Sequence, residues 1–181
     1  MDRIDVGSVH GRFQPFHNGH LDYLLQAFDA AAYVKVGLTQ IFWPDDQAAS
    51  RARDTLDSNP LAYWERASLV EAALVEAGIA SGRFEFVPFP IEIPDALPQF
   101  MPIRVPCFTT VLNMWNEEKI DVLKQQGYST ILLEVSPAEG NRVTTGAEIR
   151  RLIREGNAAW KAFVPPVVAQ QISEKFMHRF E

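Results

Sequence analysis

The sequence predicts an α/β fold, doubly wound around a mainly parallel five-stranded sheet with helices on both faces. Three observations carry the prediction. The apolar residues switch repeatedly between a period of two and a period near 3.6 along the chain. The strand and helix patterns alternate, which makes consecutive strands parallel. The 181 residues, at roughly 100–200 per domain, leave room for one domain, spanning 1–181.

Ile4–Val9 reads as a buried first strand. Leu21, Leu24, Leu25 and Phe28 then fall at the spacing of a helical stripe, some ten residues further on. Val34, Val36 and Leu38 alternate as a second strand. Tyr63–Ala77 reads as a helix closed by Gly78, where a left-handed cap is wanted. Phe84–Val87 supplies a third strand and Cys107–Leu112 a fourth. A helix over Asn116–Gln126 stops at Gly127, and Tyr128–Val135 is the fifth strand. Gly146–Arg154 is a short helix ending near Gly156. Pro165 and Pro166 open a terminal helix over Val167–Phe180, proline being tolerated in a first helical turn. Ile41–Asn59 is polar and charged, and Glu92–Pro106 is proline-rich. Both are long for simple connections, so they are expected to be lids or substrate loops.

Composition removes several classes of function. Lys and Arg number 17 against 23 Asp and Glu, a net charge of −6. A protein that coats nucleic acid needs the opposite surplus, so no nucleic-acid partner is expected. A local positive pocket for a small anion remains compatible with that balance. The one cysteine, Cys107, has no partner for an intrachain disulfide and reads as a buried small apolar residue. No Cys/His set has zinc spacing, no metal ligands are assigned, and no apolar run reaches a membrane-spanning length. The opening residues lack the pattern of a secretory leader. A cytoplasmic protein without a membrane partner is the expectation.

The loop after the first strand is His10-Gly11-Arg12-Phe13-Gln14-Pro15-Phe16-His17-Asn18-Gly19-His20. His17 and His20, three apart at a helix start, face one side. They join the unpaired N–H groups and positive dipole of a helix N-terminus, which together form an anion site. Gly11 and Gly19 let backbone approach a ligand closely. In sheets of this type ligands bind beyond the carboxyl ends of the strands, where strand order reverses. The chemistry suggested is stabilisation of charge at phosphorus.

Gly-Arg-Phe-Gln-Pro-Phe-His-x-Gly-His resembles the signature of the nucleotidyltransferase superfamily, the group with a His-x-Gly-His motif. Its spelling is most similar to archaeal-type nicotinamide mononucleotide adenylyltransferases. Thr144-Thr145-Gly146-Ala147-Glu148-Ile149-Arg150 resembles the second motif of that branch, with Ala147 at a position where the family carries threonine. Asn59-Pro60-Leu61-Ala62-Tyr63-Trp64-Glu65-Arg66 is similar to its Asn-Pro-Phe-x-x-x-Glu-Arg block. Trp160-Lys161-Ala162-Phe163-Val164-Pro165 is similar to its closing Trp-x-x-x-Val-Pro segment. The match thins after the fourth strand, where the branch has a pair of asparagines and this chain continues Thr109-Thr110-Val111-Leu112-Asn113-Met114-Trp115.

The resemblance implies in-line attack by an acceptor phosphate oxygen on the α-phosphorus of ATP, with Mg²⁺ accompanying ATP. His17, His20 and Arg150 would be catalytic. Gly11, Arg12, Phe13, His17, Gly19, His20, Thr145, Gly146, Ile149 and Arg150 would bind ATP, and Trp160, Arg66, Trp64 and Trp115 the acceptor. The partners implied are ATP and a phosphorylated small molecule, and relatives often form homo-oligomers. The leading expectation is transfer of AMP to nicotinamide or nicotinate mononucleotide, giving NAD or its acid form and pyrophosphate. Two alternatives stay open: the same machinery with another phosphorylated or phosphonate acceptor or with CTP, and a nucleotide-binding sensor that does not turn over.

Overall fold

In the computed structural model, the described residues are 3–42, 55–110, 114–134 and 144–181. They form two compact units. The first joins Met1–Gly11, Asp22–Ile41 and Ala80–Ser136, and the second joins Arg12–Leu21, Phe42–Ile79 and Pro137–Glu181.

The first unit holds the sheet. Strands β1 (Ile4–Gly11), β2 (Ala31–Leu38), β3 (Phe84–Pro88), β4 (Cys107–Thr109) and β5 (Thr130–Leu132) pair in the order β3-β2-β1-β4-β5. Every pairing is parallel. The order reverses direction at β1 and β4, the switch point of a doubly wound sheet. Helix α1 (Asn18–Ala30) connects β1 to β2, and helix α3 (Met114–Gln125) connects β4 to β5. Right-handed crossovers on either side of a reversal put those two connections on opposite faces. The predicted class is the class observed.

Two glycines let aromatic rings lie directly on this sheet. A Cβ on Gly7 would meet the Phe108 ring at 2.3 Å, and one on Gly37 would meet Phe89 at 2.7 Å. Both aromatics are buried.

β4 and β5 are shorter than their apolar runs predict. Residues 111–113 and 135 lie outside the described set. At the start of β5 the cause is visible. Gly127, at φ 86, reverses the chain after α3, and the Tyr128 N–H bonds back to the Leu123 carbonyl. Tyr128 also donates its hydroxyl to the Met101 carbonyl at 2.6 Å. That residue closes a helix, and the strand begins after it.

Glu92–Pro106 differs from the expected lid. After a 3₁₀ turn at Pro94–Gln99, its Leu97, Met101 and Val105 pack into a core with Val87, Phe89, Ile91, Cys107, Leu123 and Tyr128. Proline rules out helix interiors and strand ladders but not burial, and this stretch holds core side chains on an irregular backbone. Of the other expected lid, residues 43–54 lie outside the described residues.

The second unit packs α2 (Tyr63–Glu76) on α5 (Pro166–Gln171) and includes α4 (Gly146–Arg154). Leu69, Val70, Ala73 and Leu74 are the buried stripe of α2, and Gly78 at φ 84 ends it as predicted. The terminal helix is less regular than its pattern suggests: after Gln171 it widens into a π turn at Ile172–Phe176, then tightens into 3₁₀ at Met177–Arg179. Val168, Ile172, Phe176 and Phe180 are all buried and spaced by four. An α-helix of 3.6 residues per turn drifts about 40° with each such step, and the wider turn offsets that drift.

Candidate active site

The signature loop, Arg12–Leu21, and the second motif, on α4, belong to the same unit. Gln14, which sequence reasoning had not singled out, is the hub between them. Its carboxamide donates to the Leu61 carbonyl at 2.9 Å and accepts from the Leu61 N–H at 3.0 Å. Its own carbonyl accepts from Arg150 Nη1 at 2.7 Å. Gly146 passes so close that a Cβ there would lie 2.6 Å from the same carbonyl. The glycine of the second motif is therefore a packing requirement.

Phe13 sits at φ 53, a region bulky residues rarely adopt. Its ring is 1% exposed and packs edge-on against Phe16 at 5.5 Å and His20 at 5.0 Å. The Asn59-to-Arg66 block grips the loop from the other side. Arg12 Nη1 donates to Asn59 Oδ1 at 3.4 Å, and Arg66 Nη1 donates to the Arg12 carbonyl at 2.9 Å. Glu65 accepts from the Ala62 N–H at 2.7 Å, the reach-back bond of a helix N-terminus, and pairs with Arg179 at 2.9 Å.

His17 is the residue before α1 and acts as its cap. Its carbonyl accepts from the N–H groups of His20 and Leu21, and its Nδ1 accepts from the His20 N–H at 3.3 Å. That bond leaves the ring proton on Nε2, so the neutral side chain is a donor on its outer edge. Burial lowers His17 to a pKa of about 4, which keeps it neutral at physiological pH. The His20 ring stacks on it with centroids 3.5 Å apart. Gly19 between them is exposed, with the His17 ring 3.4 Å from where its Cβ would be. The pair thus sits at the amino end of a 13-residue helix, where helix partial charge favours anions.

On α4, Thr145 caps the helix by accepting from the Glu148 N–H at 3.2 Å. Ile149 is buried. Arg150 is 5% exposed with its Nε unpartnered, while Arg151 faces solvent and pairs with Glu148 and Glu155. Burial lowers the pKa of Arg150, partly offset by Asp57, yet a guanidinium so far from neutrality stays charged. The two expected motifs are therefore joined, through Gln14 and Arg150.

The expected acceptor residues fare differently. Arg66 is 1% exposed and donates to the carbonyls of Arg12 and Ala62, which makes it a strut under the loop. Trp160 is 3% exposed, so its ring is packed away and not offered as a platform. Trp64 is exposed, resting edge-on against Phe176 at 5.9 Å. Trp115 belongs to α3, and its side chain lies outside the described residues. A separate open cleft of about 540 Å³ is lined by Leu56, Asp57, Pro60, Arg154 and the chain end from His178. Its Arg154 is committed to Asp57 and to the Phe180 carbonyl, and no residue of either motif's phosphate-facing set lines it. Among the described residues no group of three or more His, Cys, Asp or Glu could hold a metal ion, and no helix is long and apolar enough to cross a membrane.

A family model described as cytidylyltransferase-like matches residues 9–91. A phosphonoformate cytidylyltransferase of Streptomyces viridochromogenes is 36% identical over 93% of this chain and 91% of its own length. The nicotinamide-nucleotide adenylyltransferase of Thermococcus kodakarensis is 31% identical over 94% of this chain and 84% of its own. This chain belongs to the cytidylyltransferase-like nucleotidyltransferases. Its fold matches a bifunctional NMN adenylyltransferase/ADP ribose pyrophosphatase from Francisella tularensis with a TM-score of 0.68 at 15% identity, over 97% of this chain. The transferase spans about half, 52%, of that longer protein, so the likeness is one of fold. In such a transferase, a capped helix with a neutral histidine donor and a buried arginine at the same loop are groups that can stabilise charge on transferring phosphate.

Proposed function

We propose that the chain transfers a nucleotidyl group from a nucleoside triphosphate to a phosphate or phosphonate oxygen of a small acceptor, releasing pyrophosphate. The observation that supports this most is that one loop segment carries the stacked His17 and His20 and takes the Arg150 guanidinium at its Gln14 carbonyl. The acceptor oxygen, already ionised, attacks the α-phosphorus. The bond to the bridging oxygen breaks, and pyrophosphate leaves with that electron pair. No protein base is needed, so the chain contributes position and charge stabilisation. His17 Nε2–H and the His20 ring would donate to phosphoryl oxygens as negative charge shifts toward the leaving group, with Arg150 beside the departing pyrophosphate. Gly11, Arg12 and Phe13 would line the nucleotide, with Thr145, Gly146 and Ile149 supporting the triphosphate end. Mg²⁺ would arrive with the triphosphate, held by phosphate oxygens and water and screening their charge.

For the substrates, the 36% identity with a phosphonoformate cytidylyltransferase supports CTP with a small phosphonate acid. A second reading, ATP with nicotinamide mononucleotide and an NAD product, is supported by the signature spelling and by several archaeal relatives at about 30% identity. The test is pyrophosphate release by purified protein with CTP or ATP, each against phosphonoformate, nicotinamide mononucleotide and nicotinate mononucleotide. Release with CTP and phosphonoformate is expected. Release only with ATP and a pyridine mononucleotide would select the second reading. Nucleotide binding without release for every pair would contradict transferase activity on these acceptors and favour a sensor.

A further inference from the structure

The geometry assigns His10 and Thr109 as the seat of a carboxylate on the acceptor. This assignment rests on the reading of the chain as a transferase with a small phosphorylated or phosphonylated acceptor. It starts from two buried polar side chains. Neither ring nitrogen of His10 and not the hydroxyl of Thr109 has a hydrogen-bond partner among the described residues. The two residues are only 3% and 1% exposed. An unsatisfied buried polar group is costly, and native proteins retain few of them.

Both lie in the first unit, at the carboxyl ends of the two strands where the sheet order reverses. Ser8 on β1 is in register with Cys107 on β4, and the Ser8 hydroxyl reaches Cys107 Sγ at 3.3 Å. Two residues further along each strand stand His10 and Thr109, so by the period of two they share that face. Beyond the Ser8–Cys107 pair the phenol of Tyr23 serves both strands. It donates to the Phe108 carbonyl at 2.6 Å and also bonds the His10 backbone. The switch point is where open α/β sheets bind their ligands.

The His10 ring is held ready. It stacks on Phe89 with centroids 4.5 Å apart and an interplanar angle of 6°. Phe89 in turn lies over Gly37, the β2 residue in register with His10. Burial lowers the His10 pKa well below its ordinary value, and the Lys119 charge adds to this. A neutral imidazole N–H and a hydroxyl give two donors on one face of the sheet. A carboxylate, with two acceptor oxygens on one rigid plane, takes both donors at once.

Thr109→Val, nearly isosteric, and His10→Phe, which keeps the stack on Phe89, test the assignment on the full-length protein. KM is measured for acceptor pairs that differ in the carboxylate: phosphonoformate against methylphosphonate, and nicotinate against nicotinamide mononucleotide. The expected result is a tenfold to hundredfold rise in KM for the carboxylate member, with nucleotide KM and the carboxylate-free member unchanged, and partial recovery in His10→Gln. Equal changes for both members, or none, would overturn it. So would a wild-type protein that prefers the carboxylate-free member. Should the wild type turn over none of these acceptors, the function reading fails. Calorimetric titration of phosphonoformate then decides the seat separately: binding weakened by Thr109→Val supports it, while no binding or equal binding overturns it.

Discussion

One imidazole performs two tasks at His17. Its Nδ1 holds the first turn of α1, and by doing so it directs Nε2–H outward as a donor. In nuclear magnetic resonance titration, His17 should therefore show the Nε2–H form and protonate near pH 4. Titration near the ordinary value of about 6.5 would mean that the ring is not buried as described, and an Nδ1–H form would mean that the cap bond is not formed. Gly146 makes a second local prediction. A methyl group at that position would meet the Gln14 backbone carbonyl at 2.6 Å, and backbone on both sides has nowhere soft to yield. Gly146→Ala should destabilise the protein by about 1–3 kcal/mol and slow transfer, measured by thermal melting and pyrophosphate release. Wild-type values in both would show that the two motifs are not packed as described.

Among the elements, the most instructive is the segment from Asn59 through the first turn of α2. Its resemblance motif was legible, but the role of Arg66 was not. A sequence pattern records that an arginine stands one turn into a helix, not that the Arg12 carbonyl 54 residues away will occupy its guanidinium. Arg66→Met should lower stability by about 1–3 kcal/mol, the cost of leaving a buried carbonyl unpaired, and should reduce kcat through the loosened loop. A variant with unchanged melting and a raised acceptor KM alone would instead make Arg66 an acceptor contact. Glu92–Pro106 was misread for a related reason. Its prolines conceal the burial of Leu97, Met101 and Val105, which depends on contacts with α3 and β4 that local spacing does not encode.

For the whole molecule, periodicity was enough to predict the sheet, because an apolar alternation such as Val34, Val36 and Leu38 reports burial directly. The signature loop was legible because glycine, proline and histidine there answer to local backbone needs. His10 and Thr109 were not, since their meeting depends on the register of β1 with β4. The same burial has a consequence for pH. His10 and His17 both have folded pKa values below the ordinary 6.5, so the unfolded chain takes up protons first as acid is added. Their contribution is fully present above pH 6.5 and is lost as pH falls through the window toward 4. Urea midpoints should therefore drop between pH 7.5 and pH 5, and a flat profile would contradict neutral burial of both rings.

The central claim is that charge at phosphorus is stabilised by the histidine pair at the start of α1, with no protein base. His20→Ala tests it most directly, through the rate of pyrophosphate release at saturating nucleotide and acceptor. The account predicts a fall of about 10²–10³ in kcat, the scale for losing one preorganised donor, with the nucleotide still bound. A His20→Ala protein that turns over at the wild-type rate would contradict it.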